Sequence, residues 1–148
     1  MKTFLGRPIW YNPPKIISYK LDGDDSNKQL LDIYSFSHIT HGILLYFLLK
    51  HLEINPINGL FITILLEIIW EIFENTEYII KQYRKTYKLY DGDSIVNMIG
   101  DVLLTIIGYY LAFCYPKMSI LYVIIMEIVL LPYKASLLQL SIFYDKHL

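Results

Sequence analysis

The chain has 148 residues, of which 55% are hydrophobic and 18% are charged, and its mean hydropathy is +0.39. Soluble domains carry about 25% charged and about 45–50% apolar residues, so this composition excludes a disordered or collagen-like chain and favours a membrane protein. The formal net charge of −1 excludes nucleic acid as a partner. The single cysteine, Cys114, excludes a disulfide framework and a CxxC zinc site. The length suits one domain, residues 1–148.

Residues 1–29 form a predicted loop-rich N-terminal arm. This segment contains Pro8, Pro13 and Pro14 and a polar run at 22–27. It lacks the basic start, apolar run and small-residue cleavage site of a signal peptide. We therefore expect the arm to remain on the mature protein.

Four apolar stretches follow, at residues 30–49, 57–72 with helical character continuing to 80, 94–115 and 118–131. A bilayer-spanning helix needs roughly 20 apolar residues. The first and third stretches meet this length, the second does so if extended, and the fourth falls short unless it continues past Pro132. Because backbone groups stay paired in lipid and no period-two alternation occurs, helices are expected. The sequence predicts an all-α, polytopic transmembrane bundle of about four helices over 30–148, with residues 135–144 as a short C-terminal interfacial helix.

The basic residues predict an orientation. They concentrate before the first stretch and between residues 81 and 88, whereas the two opposite loops carry only Lys50 and Lys117. By the positive-inside rule, the N-terminus, the loop at 81–92 and the C-terminus face the cytoplasm. The expected location is a bacterial inner membrane or an equivalent organellar membrane, with the lipid bilayer as the surrounding partner.

Polar residues interrupt three of the stretches at helical spacing, so that each set shares one helix face. The sets are Tyr34, His38 and His41; Glu67, Glu71 and Glu74; and Asp93, Asn97 and Asp101. In the predicted orientation, all three sets lie in the cytoplasmic half of the bilayer. The stretches contain no lysine or arginine. Because an unpaired buried charge is costly, the acids must be protonated, hydrated, paired with the basic loop at 81–88 or bound to a metal.

A membrane-embedded enzyme is one hypothesis, with a metal that activates water or polarises a phosphoryl or acyl oxygen of a lipid or lipid-linked substrate. Imidazole and carboxylate donors suit Zn, Mn or Fe. The predicted metal ligands are His38, His41, Glu71, Glu74 and Asp101. Either Glu67 or Asp93 is the predicted catalytic base. The predicted substrate-binding residues are Tyr34, Asn75 and Asn97, with Arg84 and Lys85 holding a phosphate at the headgroup level.

Other interpretations stay open, including whether the protein is an enzyme at all. The histidines can form interhelical hydrogen bonds, and Asp93 can be the N-cap of the third helix. The chain can then be a non-enzymatic accessory subunit of a larger membrane protein complex, in which the polar residues fix helix register. A third hypothesis is proton or cation handling, which would require a homo-oligomer because the helices are few.

Several segments resemble a known family. They are GRPIW at 6–10, SNKQ at 26–29 leading to DIYSFSHITHG at 32–42, EIIWEIFEN at 67–75 and YDGDSIVN at 90–97. In their order and spacing they resemble an uncharacterised family of small integral membrane proteins of alphaproteobacterial type, known as a domain of unknown function. More loosely, the pattern is similar to VanZ-like membrane proteins. The resemblance implies a polytopic helical bundle, and it implies no reaction. The motif positions that it implies are Tyr34, His38, His41, Glu67, Glu71, Glu74, Asn75, Asp93, Asn97 and Asp101. The cysteines expected near Trp10 are absent, and the region around Tyr133 matches poorly.

Overall fold

The computed structural model describes residues 6–20, 27–85 and 87–133. These residues form five α-helices and one short 3-10 helix, at Leu131–Tyr133. The α-helices are α1 (Ser35–His51), α2 (Pro56–Glu74), α3 (Glu77–Tyr83), α4 (Ile95–Cys114) and α5 (Pro116–Leu130). An isolated β-bridge joins Ile17 and Leu31. The predicted all-α class is confirmed for this part of the chain, whereas the predicted helix at 135–144 lies outside the described residues.

Helix α1 begins at Ser35 rather than at residue 30, so the predicted start is wrong. The Asp32 carboxylate accepts hydrogen bonds from the backbone N–H groups of Tyr34 and Ser35, at 2.7 and 2.9 Å. Leu31 meanwhile pairs with the arm, since its carbonyl accepts from Ser18 N at 2.9 Å. A side chain that satisfies the first free N–H groups marks a helix start, and the apolar residues before it belong to the arm.

Helical character continues to residue 80 as predicted, but in a separate helix, α3, because the chain breaks after Glu74. Asn75 is buried, and its side chain donates to the Glu71 carbonyl at 3.0 Å and to the Asp93 carboxylate at 2.6 Å. The Thr76 hydroxyl donates back to the Phe73 carbonyl at 2.7 Å. These bonds end α2 and fix the short helix α3 that follows.

The N-terminal arm caps helix α4. The N–H groups of Ile95 and Val96 donate to the carbonyls of Pro8 and Ile9, at 3.0 and 3.1 Å. The first N–H groups of a helix have no partner within the helix, so the arm supplies acceptors that α4 lacks. Within α4, Ser94 accepts from Asn97 N at 3.1 Å and is the N-cap. The interpretation of Asp93 as the N-cap is therefore wrong.

Helices α1 and α4 pack most closely. A Cβ atom on Gly42 would overlap the carbonyl oxygen of Thr105, and one on Gly108 would overlap the carbonyl oxygen of Ile39. Glycines at such positions let two helix backbones approach each other. The Thr105 hydroxyl donates to the His38 carbonyl at 3.0 Å across the same interface. The close approach therefore places the first turns of α1 directly against α4.

Helix α2 runs antiparallel to α4. Near its start, the Pro56 carbonyl accepts from the Tyr109 hydroxyl at 2.9 Å, late in α4. At its other end, Asn75 bonds Asp93, just before α4. The carboxylates of the last turns of α2 therefore lie beside the first turns of α4, at the level where α1 presents His38.

Two described helices are long and apolar enough to cross a membrane: α2 with 19 residues and α4 with 20, each with a mean hydropathy of 1.7. Helices α1 and α5 are shorter, at 17 and 15 residues. The predicted bundle of about four membrane-spanning helices is thus confirmed only for its helical character and for two candidate spans.

Replacing Gly108 by valine should destabilise the protein by about 1–3 kcal/mol, because the added side chain forces α1 away from α4. Thermal unfolding of the purified chain in detergent measures the effect. Ile107→Val on the exposed face of the same helix is the matched control and should leave the unfolding midpoint nearly unchanged. Equal midpoints for the two variants would contradict the close packing at Gly108.

Candidate metal centre

His38 lies at the centre of a group of buried carboxylates. Its Nδ1 atom is 2.5 Å from Glu67 Oε1 and 3.5 Å from Glu71 Oε1, and its Nε2 atom is 3.8 Å from Asp101 Oδ2. His41 Nδ1 lies 3.2 and 3.3 Å from the two oxygens of Glu67. One imidazole from α1 thus meets carboxylates from both α2 and α4, and Glu67 faces both histidines.

A second pair of carboxylates adjoins this group, and neighbouring side chains hold both in place. The amide of Asn75 donates to Asp93 Oδ2 at 2.6 Å and accepts from the Asp93 backbone N–H at 2.7 Å. The hydroxyl of Tyr83 donates to Glu74 Oε1 at 2.6 Å, and that of Tyr90 donates to the Asp93 carboxylate at 3.2 Å. The orientation of Glu74 and Asp93 is therefore set by residues of α3 and of the loop before α4.

Three ionisable groups around this second pair of carboxylates have raised pKa values, because they are buried close to other negative charges. Burial, followed by the negative charges of Glu74 and Asp101, raises the pKa of Asp93 well above its usual value. Burial and the charge of Glu74 likewise raise the pKa of Tyr83, and burial and the charge of Asp93 raise the pKa of Tyr90. Both tyrosines therefore remain protonated donors, and a cation beside Asp93 would favour its ionised form.

Buried oxygens at the centre lack hydrogen-bond donors. Glu71 is 2% exposed, and neither of its carboxylate oxygens accepts a hydrogen bond from the described residues. Asp101 is 5% exposed, and its Oδ1 atom likewise accepts no hydrogen bond from the described residues. Most buried polar atoms in proteins have a partner, and an unmade bond to a charged group is costly. Glu71 Oε1 lies 3.5 Å from His38 Nδ1, and one potential ligand atom each of His38, Glu71 and Asp101 lies within 4.8 Å of the others.

The side chains fall into three overlapping groups in which one potential ligand atom from each residue lies within 4.8 Å of the others. The groups are His38, His41 and Glu67; His38, Glu71 and Asp101; and Glu71, Glu74 and Asp93. We refer to these seven residues as the His–carboxylate cluster. Metal–ligand bonds to nitrogen and oxygen measure about 2.0–2.2 Å, so small side-chain movements would bring each group to bonding distance of one ion.

The structure brings together all five residues predicted as metal ligands and both residues predicted as catalytic bases. Of the residues predicted to bind substrate, Asn75 contacts the cluster through Asp93. Asn97 is fully buried between α4 and α1, where its amide reaches the Ser35 hydroxyl at 3.5 Å. Tyr34 packs its ring edge-on against Tyr87, with centroids 5.6 Å apart. The roles of all these residues stay predictions.

The two basic residues predicted to hold a phosphate lie at the surface. Arg84 Nε donates to the Tyr90 carbonyl at 2.6 Å, and its side chain is exposed. Lys85 is also exposed. Tyr90 therefore stands between Arg84 and Asp93, and phosphate binding by the two basic residues remains a prediction.

Sequence reasoning missed three residues around the cluster: Tyr83, Tyr90 and Arg7. The tyrosines have no distinctive spacing in a chain with 14 tyrosines. Arg7 comes from the arm, donates to the Asp91 carbonyl and lies against Gly92, whose φ of +93° favours glycine. The available signal for Arg7 was its place in the GRPIW segment. Its guanidinium brings a fixed positive charge to the residue next to Asp93.

The family model described as "Protein of unknown function (DUF2585)" matches residues 3–144. The chain is 32% identical over 121 residues to a UPF0314 protein of Sphingopyxis alaskensis, covering 72% of this chain and 60% of the relative. It is 35% identical over 92 residues to the UPF0314 protein of Brucella anthropi (60% and 47%) and 38% identical over 92 residues to that of Paracoccus denitrificans (60% and 48%). The chain thus spans about half the length of these curated relatives. No solved structure matches.

These relatives come from alphaproteobacteria, as the resemblance in the sequence implied, while the looser likeness to VanZ-like membrane proteins is not shown. Because the family model covers nearly the whole sequence, the chain belongs to the DUF2585 family of proteins of unknown function.

Proposed function

We propose that this protein is an integral membrane enzyme whose His–carboxylate cluster binds a divalent metal and acts on a lipid or lipid-linked substrate. The observation that carries the proposal is the buried Glu71 carboxylate, whose two oxygens accept no hydrogen bond from the described residues and which lies beside His38 and Asp101. The apolar length of α2 and α4 supports a membrane location.

The group of His38, Glu71 and Asp101 offers ligands for a metal, and Glu67 holds the imidazole of His38 in position. Because Nδ1 of His38 donates to Glu67, its Nε2 atom is available to a metal on the side of Asp101. Metal-binding histidines usually donate their second N–H to a carboxylate, which fixes the ring. The metal ligands would then be His38, Glu71 and Asp101, with Glu67 holding the imidazoles of His38 and His41. This nitrogen and oxygen set suits Zn, Mn or Fe.

The chemistry that fits such a site is ester hydrolysis. The metal would polarise a phosphoryl or acyl oxygen and lower the pKa of a bound water. The oxygen of the attacking water would bond to the phosphorus or acyl carbon as the bond to the ester oxygen breaks. A carboxylate would accept the proton of that water and return it to the ester oxygen, which would leave as an alcohol. The two predicted bases remain candidates for this role, since Glu67 contacts two imidazoles and Asp93 accepts from Asn75 and Tyr90.

Glu71→Gln should lower metal affinity at least about tenfold, since it replaces a charged ligand by a neutral amide of the same shape. Elemental analysis of protein purified without chelators, followed by competition with a metal indicator, measures content and affinity. Wild-type protein should carry stoichiometric metal.

The matched control is Glu77→Gln, which removes an exposed carboxylate that pairs only at the surface with Lys81, at 3.7 Å. Its metal content should equal that of the wild type. A wild-type chain without stoichiometric metal, or equal affinities for the two variants, would contradict metal binding at the cluster.

We also propose the orientation that the basic residues predict, with the arm and the loop at 81–92 on the cytoplasmic side. The single cysteine offers a direct test, because Cys114 is exposed at the far end of α4. In spheroplasts, a membrane-impermeant maleimide should label Cys114 from outside.

The comparison variant combines Cys114→Ser with Lys88→Cys, which places the thiol at an exposed position in the opposite loop. This variant should react only after the membrane is permeabilised. Labelling of the two variants with the reverse sidedness would refute the orientation.

A second candidate function, an accessory subunit of a membrane complex, is favoured by helix α5. Only Ser119 and Leu130 of its 15 residues are buried, and apolar side chains such as Ile124 and Ile128 are about half exposed. A partner helix could cover this face. The cluster would then be a hydrogen-bonded network that sets helix register.

Native electrophoresis of membranes solubilised in mild detergent separates the two candidates. An enzyme that acts alone should migrate at the mass of the monomer or a homo-oligomer, and His41→Ala should not change that mass. Migration of the wild type in a larger complex that His41→Ala disrupts would support the subunit instead. His51→Ala is the control, because His51 is exposed at the end of α1.

A further inference from the structure

A groove of about 280 Å³ lies between α2 and α4, next to the His–carboxylate cluster. Apolar side chains form its walls, and Glu71 is the only ionisable residue among the described residues that line it. The lining includes Ile68, Glu71, Ile72, Met98, Ile99 and Val102. We call it the α2–α4 groove.

The groove opens at the surface of the two helices that are apolar enough to span a membrane. Its rim residues Ile68, Ile99 and Leu103 are 42%, 53% and 50% exposed. In a bilayer this surface would face lipid hydrocarbon, so the groove communicates with the hydrocarbon region rather than with water. Its apolar walls would accept a chain of methylene groups without leaving any polar wall atom unpaired, apart from the oxygens of Glu71.

Glu71 belongs to both the groove and the cluster. It lines the groove and is nevertheless only 2% exposed, and its two oxygens have no hydrogen-bond donor among the described residues. A molecule that lies in the groove therefore has one place for a polar group, beside Glu71 and the ligand atoms of His38 and Asp101. The arrangement is suited to a molecule with a long apolar part and one polar end.

The dimensions suit a lipid chain. The lining residues Ile95 and Leu103 are eight positions apart on α4, which corresponds to about 12 Å at 1.5 Å per residue. The hydrocarbon region of one leaflet is about 15 Å deep, half of the roughly 30 Å core. The groove is therefore comparable in length to the hydrocarbon region of one leaflet.

We propose that the α2–α4 groove binds a hydrocarbon chain of a membrane phospholipid and thereby places its phosphate ester at Glu71, beside the metal of the His–carboxylate cluster. The inference rests on the proposed function for the metal, because carboxylates without a cation would repel a phosphate. It goes further in naming the substrate class and the route by which the substrate reaches the site, laterally from the bilayer.

Photocrosslinking of the full chain tests the inference. The protein is reconstituted in vesicles of phosphatidylcholine and phosphatidylglycerol that contain phosphatidylglycerol with a diazirine on one acyl chain, and labelled residues are mapped by mass spectrometry. Wild-type labelling should concentrate at residues 68–72 and 95–103. Ile99→Trp, which fills the groove, should reduce it about tenfold, the loss expected for about 1.4 kcal/mol of binding free energy.

Ile107→Trp is the matched control, since Ile107 is 46% exposed on the same helix and is not among the residues that line the groove. It should leave labelling in the groove unchanged. Ile72→Trp narrows the groove from the side of α2 and provides a second test in case one variant misfolds. Thermal unfolding checks that all three variants are folded. Labelling spread evenly over the exposed helix faces, or an equal reduction by Ile107→Trp, would overturn the inference.

Metal content is measured in the same samples so that the two proposals fail separately. Groove labelling in a wild-type protein that lacks metal would contradict the proposed function and the headgroup contact, and would leave only chain binding. Stoichiometric metal with no preferential labelling of the groove would overturn the lipid site and keep the metal centre.

Discussion

The crowding of buried carboxylates around His38 is the constraint on which the rest of the structure depends. Glu67, Glu71 and Asp101 approach one imidazole from two helices. A protonated histidine supplies one positive charge, which cannot offset several ionised carboxylates in a medium of low polarity. Unpaired buried charge in a membrane is costly, and a bound cation is a common way in which proteins offset it. This imbalance of charge is the reason for proposing that the cluster binds a metal.

The surrounding fold holds this cluster at one level. The contacts at Gly42 and Gly108 bring α1 against α4, so that His38 reaches Asp101. The break after Glu74 lets Asn75 bond Asp93 and ties the end of α2 to the start of α4. The arm then supplies backbone acceptors to the first N–H groups of α4. Each of these features fixes a helix end or a helix crossing near the cluster, which is how rigid elements keep ligand atoms in position.

The membership of the cluster could be predicted from sequence because helical spacing is a local property. Glu67 and Glu71 are about one helical turn apart, as are His38 and His41, and residues so spaced share a face whatever the tertiary fold. The shared depth of the sets followed from the positions of the stretches along the chain. The sequence alone therefore predicts a cluster of acids and histidines in the apolar stretches, which contain no lysine or arginine.

What the sequence could not supply depends on contacts between distant segments. Tyr83 and Tyr90 bond the cluster only because α3 folds back beside the loop before α4. Arg7, which belongs to the N-terminal arm, lies against Gly92 in the loop before α4. The start of α1 and the break after α2 were missed for the same reason, since Asp32 and Asn75 fix them through hydrogen bonds that hydropathy does not reveal. Apolar periodicity reports burial and not the identity of a polar partner.

X-ray absorption spectroscopy of the purified, metal-loaded protein tests the metal centre most directly. A metal held by the His–carboxylate cluster should show only nitrogen and oxygen neighbours, at about 2.0–2.2 Å, with the outer-shell scattering of imidazole. That imidazole signal should weaken in His38→Gln. A sulfur neighbour at about 2.3 Å would instead place the metal at Cys114, and a spectrum without imidazole scattering would contradict the proposed centre.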